Sequence, residues 1–419
     1  MIKDKLWRFA RNRFKKKLGD TLCLAKWTQT NIYLATGKTH SCHHPNPHTI
    51  PVEEIEKDPS ALHNTCYKVK QRQKMLDGEK PSECDYCWRV EETGGLSDRV
   101  TKSFTNWSRP FYNEILNQGA KGSAPKYLEV SFDNTCNLKC SYCGPSFSSK
   151  WVEELDRFGP WPNHHSGHNV IPNREDNPYV NAFWKWWPDL YKKLHTFRIT
   201  GGEPLLSKNT YKVFDKLKHN PNKKMALGIN TNLSVPQEIL DKFISSIKDV
   251  KVKSLTIHTS CDTHGVAAEY ARNGFDYEQW IKNCERILTE IPEVNLNIMV
   301  TYNVFSVTTF ELFLKDIVEL RNKFKKVGVS ISYLRYPEQL AVWVLPQSFG
   351  TYIKTQIEFM KNNKFKATEI NQLERILPLL EENKNRSKLQ QQFIEFVNEH
   401  DKRRNTNFLE SFPEMSSIV

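Results

Sequence analysis

The chain has 419 residues, of which 38% are hydrophobic and 26% are charged, and its formal net charge is +12. This length suffices for a large α/β domain and at least one smaller domain, and the composition is that of a folded protein. No run approaches the roughly 20 apolar residues that span a bilayer, and the basic N-terminus lacks the apolar core of a signal peptide. We therefore expect a cytosolic protein whose 10 cysteines bind metal rather than form disulfides.

The first 20 residues are predicted to form a basic amphipathic helix. Residues 1–18 carry +7 of the net charge, while Ile2, Leu6 and Phe9 fall on one side of the helix. This apolar side favours docking onto the body of the protein, and an acidic partner, RNA or a membrane surface remains the alternative. Because the rest of the chain carries only +5, its overall charge gives little support for nucleic-acid binding.

Residues 21–100 form a predicted cysteine-rich domain. Its cysteines are Cys23, Cys42, Cys66, Cys84 and Cys87. Cys84 and Cys87 have the CxxC spacing of a metal half-site, and together with Cys42 and the two histidines that follow it they would satisfy tetrahedral zinc. An iron–sulfur cluster uses the same thiolate ligands, so both kinds of site stay open at this point.

Residues 120–340 alternate short apolar runs with helical patterns, which predicts repeated βα units and a parallel sheet. The predicted strands are 127–132, 197–200, 226–230, 254–260, 295–302 and 327–333. The predicted helices between them are 211–219, 236–248, 277–290 and 309–325. Ligands of such sheets bind at the carboxyl ends of the strands, so functional residues are expected just after each strand. Residues 341–419 are predicted to be a helical extension without visible chemistry.

The loop after the first of these strands contains three cysteines in a CxxxCxxC pattern, namely Cys136, Cys140 and Cys143. This triple can hold three irons of a four-iron cluster and leave the fourth iron open for chemistry. The aromatic Tyr142 stands between the second and third cysteines. The spacing alone does not identify the metal.

A second motif follows the next predicted strand. It contains Gly201, Gly202, Glu203 and Pro204. Glycines at this position would let the backbone approach a small ligand closely. The carboxylate suits an ammonium group, and proline fixes the exit of the turn.

The cysteine triple and the GGEP motif, in this order, resemble the radical S-adenosylmethionine (radical SAM) superfamily. The resemblance implies a partial (βα)6 barrel in which the triple binds a 4Fe-4S cluster and GGEP binds the amino group of S-adenosylmethionine. It places Tyr142 beside the adenine. The implied activity is reductive cleavage of S-adenosylmethionine to methionine and a 5′-deoxyadenosyl radical, which abstracts hydrogen from a substrate.

Further cofactor-binding residues are expected at the other strand ends. The stretch Ser260-Cys261-Asp262, followed by Arg272, resembles the SxD…RxG pattern of radical SAM enzymes with SPASM or twitch domains, in which the Ser and Arg contact the methionine part of the cofactor. The alternatives are an ordinary turn at the start of a helix for Ser260 and Asp262, and a surface ion pair for Arg272. Asn230 is expected to reach a ribose or an amino acid and would equally cap the next turn, and Asn303 is expected at the adenosine.

The N-terminal cysteines resemble a twitch domain, a half-length relative of SPASM that holds one auxiliary 4Fe-4S cluster. The resemblance implies that Cys23, Cys42, Cys84 and Cys87 are the ligands, with Cys66 as the spare. This chain departs from the usual order, because twitch domains follow the barrel and here the segment precedes it.

The sequence therefore predicts a radical SAM enzyme that acts on a peptide, a protein or a small alcohol. The resemblance implies a reductant such as flavodoxin or ferredoxin as an electron-donating partner. The alternative is an RNA-modifying radical SAM protein or a zinc-stabilised nucleic-acid-binding protein, as the basic first helix suggests.

Overall fold

The computed structural model describes residues 2–418 apart from 123, 165–166, 168–169, 172–175 and 382–384, and it describes side chains from residue 9 onward. Within these residues, no helix combines the length and the apolar character that crossing a membrane requires.

The part of the chain that the structure describes contains a nine-stranded main sheet and a two-stranded ribbon. In chain order the strands are β1 (Gln29–Tyr33), β2 (Lys38–His40), β3 (His48–Thr49), β4 (Tyr127–Ser131), β5 (Lys139–Cys140), β6 (Thr196–Thr200), β7 (Asn222–Thr231), β8 (Val252–Ser260), β9 (Arg272–Asn273), β10 (Asn295–Tyr302) and β11 (Val327–Tyr333). The main sheet has the order β11-β10-β8-β7-β6-β4-β1-β2-β3, and the ribbon joins β5 to β9.

Helices cover one face of this sheet and form both ends of the chain. They are α1 (Ile2–Leu18), α2 (Ala25–Thr28), α3 (Val52–Lys57), α4 (Cys66–Leu76), α5 (Asp85–Glu92), α6 (Asp98–Ser103), α7 (Tyr112–Gln118), α8 (Ser149–Phe158), α9 (Pro178–Leu190), α10 (Lys208–His219), α11 (Gln237–Ile247), α12 (Gly265–Ala271), α13 (Tyr277–Glu290), α14 (Phe310–Lys323), α15 (Gly350–Asn362), α16 (Ala367–Glu374), α17 (Arg386–Arg404) and α18 (Phe408–Ser411).

Six consecutive strands of the main sheet, from β4 to β11, pair in parallel. Their connections run through α9, α10, α11, α13 and α14, which bury their apolar sides against the sheet. The predicted α/β fold with a parallel sheet is confirmed, and all six predicted strands are present. β7 begins at Asn222, four residues before its predicted start at Ala226. Asn222 also pairs with β8, and the pairing is irregular between Asn222 and Ala226. The sheet is open at both edges within the described residues, as a partial barrel requires.

The cysteine-rich N-terminal segment continues the same sheet. β1 lies parallel to β4, with Gln29 opposite Tyr127 and Tyr33 opposite Ser131, and β2 and β3 add antiparallel strands beyond it. A second, smaller core forms beside these strands. It contains Phe14, Leu18, Leu22, Cys23, Leu24, Trp27, Met75, Cys84, Trp88, Phe104 and Ile115. The described end of α1 therefore docks onto the body of the protein, while Phe9 is 69% exposed.

The C-terminal helices pack on the barrel and on the segment that follows the cysteine loop. Phe396 on α17 lies 4.8 Å from Trp161, measured between ring centroids, and His400 stacks on Tyr270 at 4.0 Å. Trp151 is fully buried in the same region. The C-terminal extension is thus part of the wall around the cysteine loop.

Trp280 on α13 offers a test of this packing. It is fully buried, and its indole Nε1 donates a hydrogen bond of 2.9 Å to Thr259 Oγ1 on β8. We expect Trp280→Ala to lower the free energy of unfolding by about 3–5 kcal/mol, because it opens a cavity and leaves a buried hydroxyl without its partner. Denaturant unfolding of the full chain measures this change.

The matched control is Leu312→Ala, at a position that is 44% exposed. It should change the same free energy by less than about 0.5 kcal/mol. Equal losses in the two variants would contradict the predicted importance of α13 packing.

Candidate functional site

The three cysteines of the predicted cluster loop follow β4 and are all partly accessible. The backbone folds around their side chains: Leu138 N lies 3.5 Å from Cys136 Sγ, and Cys143 N donates to Cys140 O at 2.9 Å. The indole Nε1 of Trp151 also donates to Cys140 O at 3.0 Å. The loop therefore turns tightly between the cysteines, as a shared cluster requires.

A buried ion pair links this loop to the residues that follow β8. Arg272 Nε and Nη2 donate to Asp262 at 2.9 and 3.2 Å, and Arg272 Nη1 lies 3.7 Å from Cys140 Sγ. The hydroxyl of Tyr142 donates to Asp262 Oδ2 at 2.6 Å, and the backbone N–H of Thr301 donates to Asp262 Oδ1 at 2.8 Å. Three predicted site residues and one cluster cysteine thus form one network.

Arg272 also has a backbone role that the sequence did not indicate. It lies in β9, whose residues pair with β5, so that Cys140 stands opposite Arg272. Its guanidinium is committed to Asp262 and lies 5.6 Å from the ring centroid of Tyr142. The structure therefore gives Arg272 a role in positioning the cysteine loop, and its predicted contact with the methionine carboxylate stays a prediction.

Arg404 on α17 is a site residue that sequence reasoning missed. Its fully buried guanidinium donates to Lys139 O at 2.8 Å and to both carboxylate oxygens of Glu154 at 3.1 Å. Lys139 Nζ lies 2.6 Å from the same carboxylate. Since Arg404 is 265 residues from Lys139 and stands in no motif, only the tertiary packing reveals that it supports the cluster loop.

Burial acts on the pKa of all three thiols of this loop. Burial raises the pKa of Cys136 and Cys140, and it raises the pKa of Cys143 to about 12. The nearby Arg272 and Arg404 lower the pKa of Cys140 and Cys143 in part. A metal would bind these groups as thiolates and release their protons.

The glycines of the GGEP motif bring two loops into contact. Gly201 has φ +130°, and a side-chain carbon there would lie 2.5 Å from Ser131 Oγ. A side-chain carbon on Gly202 would collide with the carbonyl oxygen of Thr135, just before the first cluster cysteine. The space that the glycines leave is therefore filled by the cysteine loop, and their predicted contact with the cofactor stays a prediction.

Glu203 is buried where these two loops meet. Its carboxylate accepts hydrogen bonds from the backbone N–H groups of Asn232 at 2.7 Å and Leu205 at 3.0 Å. Burial raises its pKa to about 7, although these hydrogen bonds act in the opposite direction. A cationic group placed beside it would favour the carboxylate form. Pro204 is buried and begins the short 3-10 turn that follows.

The other predicted cofactor contacts lie in different surroundings. Asn230 Oδ1 accepts a 2.6 Å hydrogen bond from Arg198 Nε inside the barrel. Ser260 is half-buried at the end of β8, opposite Met299. Asn303 is fully buried, and its side chain accepts from Phe305 N at 2.9 Å within a capping box. The structure therefore uses Asn303 to form a turn rather than to line the surface of the site.

A cavity of about 820 Å³ adjoins the cluster loop at Tyr142 and Cys143. Its other walls are the turn after β11, around Gln339, and the first turns of α17, around Lys388. This cavity therefore opens onto the cluster loop from outside the barrel strands.

The second predicted metal site also assembles. Cys23, Cys42, Cys84 and Cys87 line one small buried cavity, whereas Cys66 is exposed and lies outside it. Burial raises the pKa of Cys23, and it raises the pKa of Cys84 and of Cys87 to about 12. The four cysteines that the resemblance selected are therefore the four that share a cavity.

The four thiols are less compact than the ligands of a bound zinc ion. Zinc–sulfur bonds of about 2.3 Å in a tetrahedron would place the sulfurs roughly 3.8 Å apart. Among the described residues, the compact group of possible ligands, within 4.8 Å of one another, is His43, His44 and Asp98, and it includes none of the cysteines. His44 Nε2 lies 2.9 Å from Asp98 Oδ2. The histidines thus turn to Asp98, and the choice between zinc and an iron–sulfur cluster stays a prediction.

Two deeply buried basic side chains of the N-terminal segment, Lys68 and Arg72, have neutral partners. Lys68 Nζ donates to Thr30 Oγ1 at 2.8 Å and to Thr39 Oγ1 at 2.7 Å. Arg72 is fully buried and donates to Lys26 O at 2.9 Å and to Asn64 Oδ1 at 2.7 Å. Burial lowers the pKa of Lys68 well below its usual range. An anionic metal–thiolate centre would supply the opposite charge that such groups need.

Comparison with known proteins gives a family for the barrel. Residues 130–317 match the Radical SAM superfamily. The chain is 23% identical over 212 residues to GTP 3′,8-cyclase of Nautilia profundicola, which covers 51% of this chain and 56% of that protein. It is 26% identical over 219 residues to the radical SAM cyclopropyl synthase TigE of Paramaledivibacter caminithermalis, which covers 52% of this chain and 43% of that protein.

A solved structure gives a broader match at lower similarity. Streptococcus suis SuiB bound to S-adenosylmethionine matches with a TM-score of 0.40 and 14% identity, over 82% of this chain and 71% of that chain. The chain spans about half the length of the curated relatives named above, or less.

The pKa of Glu203 predicts a pH dependence of stability. Its folded-state pKa of about 7 exceeds the ordinary value of 4.5, so the folded protein binds more protons than the unfolded chain between these values. Its contribution to stability is therefore fully present below about pH 4.5 and is lost as pH rises to about 7, by about 3 kcal/mol. Unfolding of the metal-free protein against pH, compared with Glu203→Gln, measures it.

The difference in unfolding free energy between the wild type and Glu203→Gln should thus change steadily over this interval. Glu293→Gln, at a side chain that is 94% exposed, should run parallel to the wild type. A Glu203→Gln curve that is also parallel to the wild type would show that the carboxyl is not held protonated.

Proposed function

We propose that this chain, whose residues 130–317 match the Radical SAM superfamily, is an enzyme that cleaves S-adenosylmethionine reductively and uses the resulting radical on a substrate. The observation that carries the proposal is the packing of the GGEP turn against the loop of Cys136, Cys140 and Cys143. The buried carboxylate of Glu203 thus lies near Cys136, and the three thiols would leave one iron of a 4Fe-4S cluster open. When bound, the cluster and S-adenosylmethionine supply the electron transfer and the 5′-deoxyadenosyl radical.

The chain's own residues would hold and orient these groups. The three thiols would bind as thiolates, and Arg272 Nη1, at 3.7 Å from Cys140 Sγ, would stabilise the negative charge on that ligand. Glu203 would accept the ammonium group of the methionine part, which is the cation that favours its ionised form. Tyr142, held by Asp262, would present its ring to the adenine.

We also propose that Cys23, Cys42, Cys84 and Cys87 hold an auxiliary 4Fe-4S cluster of twitch type. The cavity that the four cysteines share supports this assignment, as does the finding that, among the described residues, they form no group as compact as the ligands of one zinc ion. Such a cluster would accept an electron from the substrate radical or anchor the substrate.

The first candidate substrate is a peptide or protein segment, and a small alcohol is the second. The open cavity beside Cys143 admits either one. The relatives support a radical reaction but differ in what their names describe, a nucleotide cyclisation in one and a cyclopropyl synthesis in another. Flavodoxin or ferredoxin is the proposed reductant.

Removing one cluster ligand tests the principal activity. Cys140→Ala should abolish formation of 5′-deoxyadenosine from S-adenosylmethionine under reducing, anaerobic conditions, because a two-thiol site cannot hold the cluster. Chromatography with mass detection measures the product. Cys66→Ala, at an exposed cysteine outside both sites, is the control and should keep the wild-type rate; full activity in Cys140→Ala would overturn the assignment.

Counting metal tests the auxiliary site. Protein in which Cys136, Cys140 and Cys143 are all replaced by Ala should retain about four irons per chain after anaerobic reconstitution. Adding Cys84→Ala and Cys87→Ala should remove them. One zinc per chain in place of the iron, or no bound metal, would contradict the proposed auxiliary cluster without affecting the proposal for the first site.

A further inference from the structure

The interior of the barrel is polar on every one of its six parallel strands. The inward side chains, one from each strand, are Glu129, Arg198, Asn230, His258, Asn297 and Ser330. Pairing places Glu129 opposite Arg198, and Asn230 opposite His258, so that the members of each pair share one face of the sheet. Closed barrels of this kind are filled by branched apolar side chains. These six polar side chains are half-buried instead, so they line a chamber.

Arg198 lies across the floor of this chamber. It stands on β6, and its Nη2 is 3.1 Å from the sulfur of Met299 on β10, although β7 and β8 separate these strands in the sheet. Such a contact is possible only across the concave side.

The charge of Arg198 is only loosely compensated. Its Nε donates to the neutral Asn230 at 2.6 Å, while its Nη1 is 3.8 Å from Glu129 Oε2, beyond hydrogen-bond distance. Tyr127 is a further neighbour with a neutral hydroxyl. Arg272, in contrast, donates two hydrogen bonds to Asp262. Arg198 therefore donates no hydrogen bond to a carboxylate among the described residues, and Glu129 compensates its charge only across 3.8 Å.

The remaining groups near Arg198 favour an anion over a cation. Burial lowers the pKa of His258 to about 3, so the imidazole is neutral near pH 7 and adds hydrogen-bonding capacity without charge. Asn230 and Asn297 are amides. A guanidinium has the planar, forked donor geometry that binds a carboxylate or a phosphate through two oxygens.

We propose that the barrel chamber binds an anionic group of the substrate, a carboxylate or a phosphate, on Arg198. Binding replaces the loose contact of Arg198 with Glu129 by two direct hydrogen bonds to the ligand, and Asn230 keeps the guanidinium oriented. This inference names the substrate class for the function proposed above and rests on that function. A neutral small alcohol would leave the guanidinium without a partner.

Binding of simple anions tests the proposal. Orthophosphate and acetate are titrated separately into the reconstituted full chain at constant ionic strength, and calorimetry gives each dissociation constant. We expect saturable binding of at least one of them and a loss of at least tenfold in Arg198→Met. Glu129→Gln should bind the same anion several-fold more tightly, because it removes the competing carboxylate. These opposite effects are not expected of a purely structural ion pair.

The control variant is Arg321→Met. Its guanidinium is 20% exposed, close to the 19% of Arg198, and pairs with Glu369 outside the barrel. Anion binding should be unchanged in this variant. Absence of saturable binding in the wild type, or an equal affinity in Arg198→Met, would overturn the proposal. So would loss of anion binding in the presence of saturating S-adenosylmethionine, because the site would then belong to the carboxylate of that cofactor.

Formation of 5′-deoxyadenosine separates this proposal from the function on which it rests. The wild type and Arg321→Met are assayed for it without added substrate. Product with no anion binding would overturn only the assignment of Arg198. Anion binding without product would overturn the proposed activity. Arg198 would then remain an anion-binding residue of a protein with another function.

Discussion

The buried ion pair between Arg272 and Asp262 is the interaction on which the arrangement of the site depends. Arg272 belongs to the ribbon that carries Cys140, and Asp262 follows a barrel strand and also binds Tyr142 and a backbone N–H of β10. One carboxylate thus fixes the cysteine loop, the aromatic ring and the end of a strand relative to one another. Because a buried charge without its partner is strongly destabilising, these elements cannot move independently.

The same electrostatic rule distinguishes buried basic side chains that pair with a carboxylate from those that have only neutral partners. Arg404 is buried with Glu154 and Lys139, so its charge is compensated within the chain. Lys68 and Arg72 are as deeply buried, but they donate to neutral oxygens and, for Arg72, to the imidazole of His63. The first group stabilises the cluster loop whether or not metal is present. Neither side chain of the second group forms an ion pair with a carboxylate among the described residues, so each relies on neutral hydrogen-bond partners.

Sequence reasoning found the features that have a local signal. Apolar runs predicted the six parallel strands, and fixed spacings identified the cysteine loop and the GGEP turn. It missed β1, whose run Gln29–Tyr33 is largely polar and becomes a strand only through its pairing with β4. It also missed Arg404, because a buried partner 265 residues from Lys139 leaves no local pattern. Asn303 was misleading, since asparagine after a strand suits a turn as well as a ligand.

The pairing of β1 with β4 also explains how a cysteine-rich segment that precedes the barrel comes to lie beside its site. Parallel pairing sets this segment at the edge next to the first barrel strand, with Tyr33 near Phe147 of the cluster loop at 5.7 Å between ring centroids. Tyr86, between two of the N-terminal cysteines, lies near Arg335 just after β11 and helps to raise the pKa of that guanidinium. The segment therefore contacts both the first and the last strand ends across the open side of the barrel. Its position is set by sheet pairing rather than by its place in the chain.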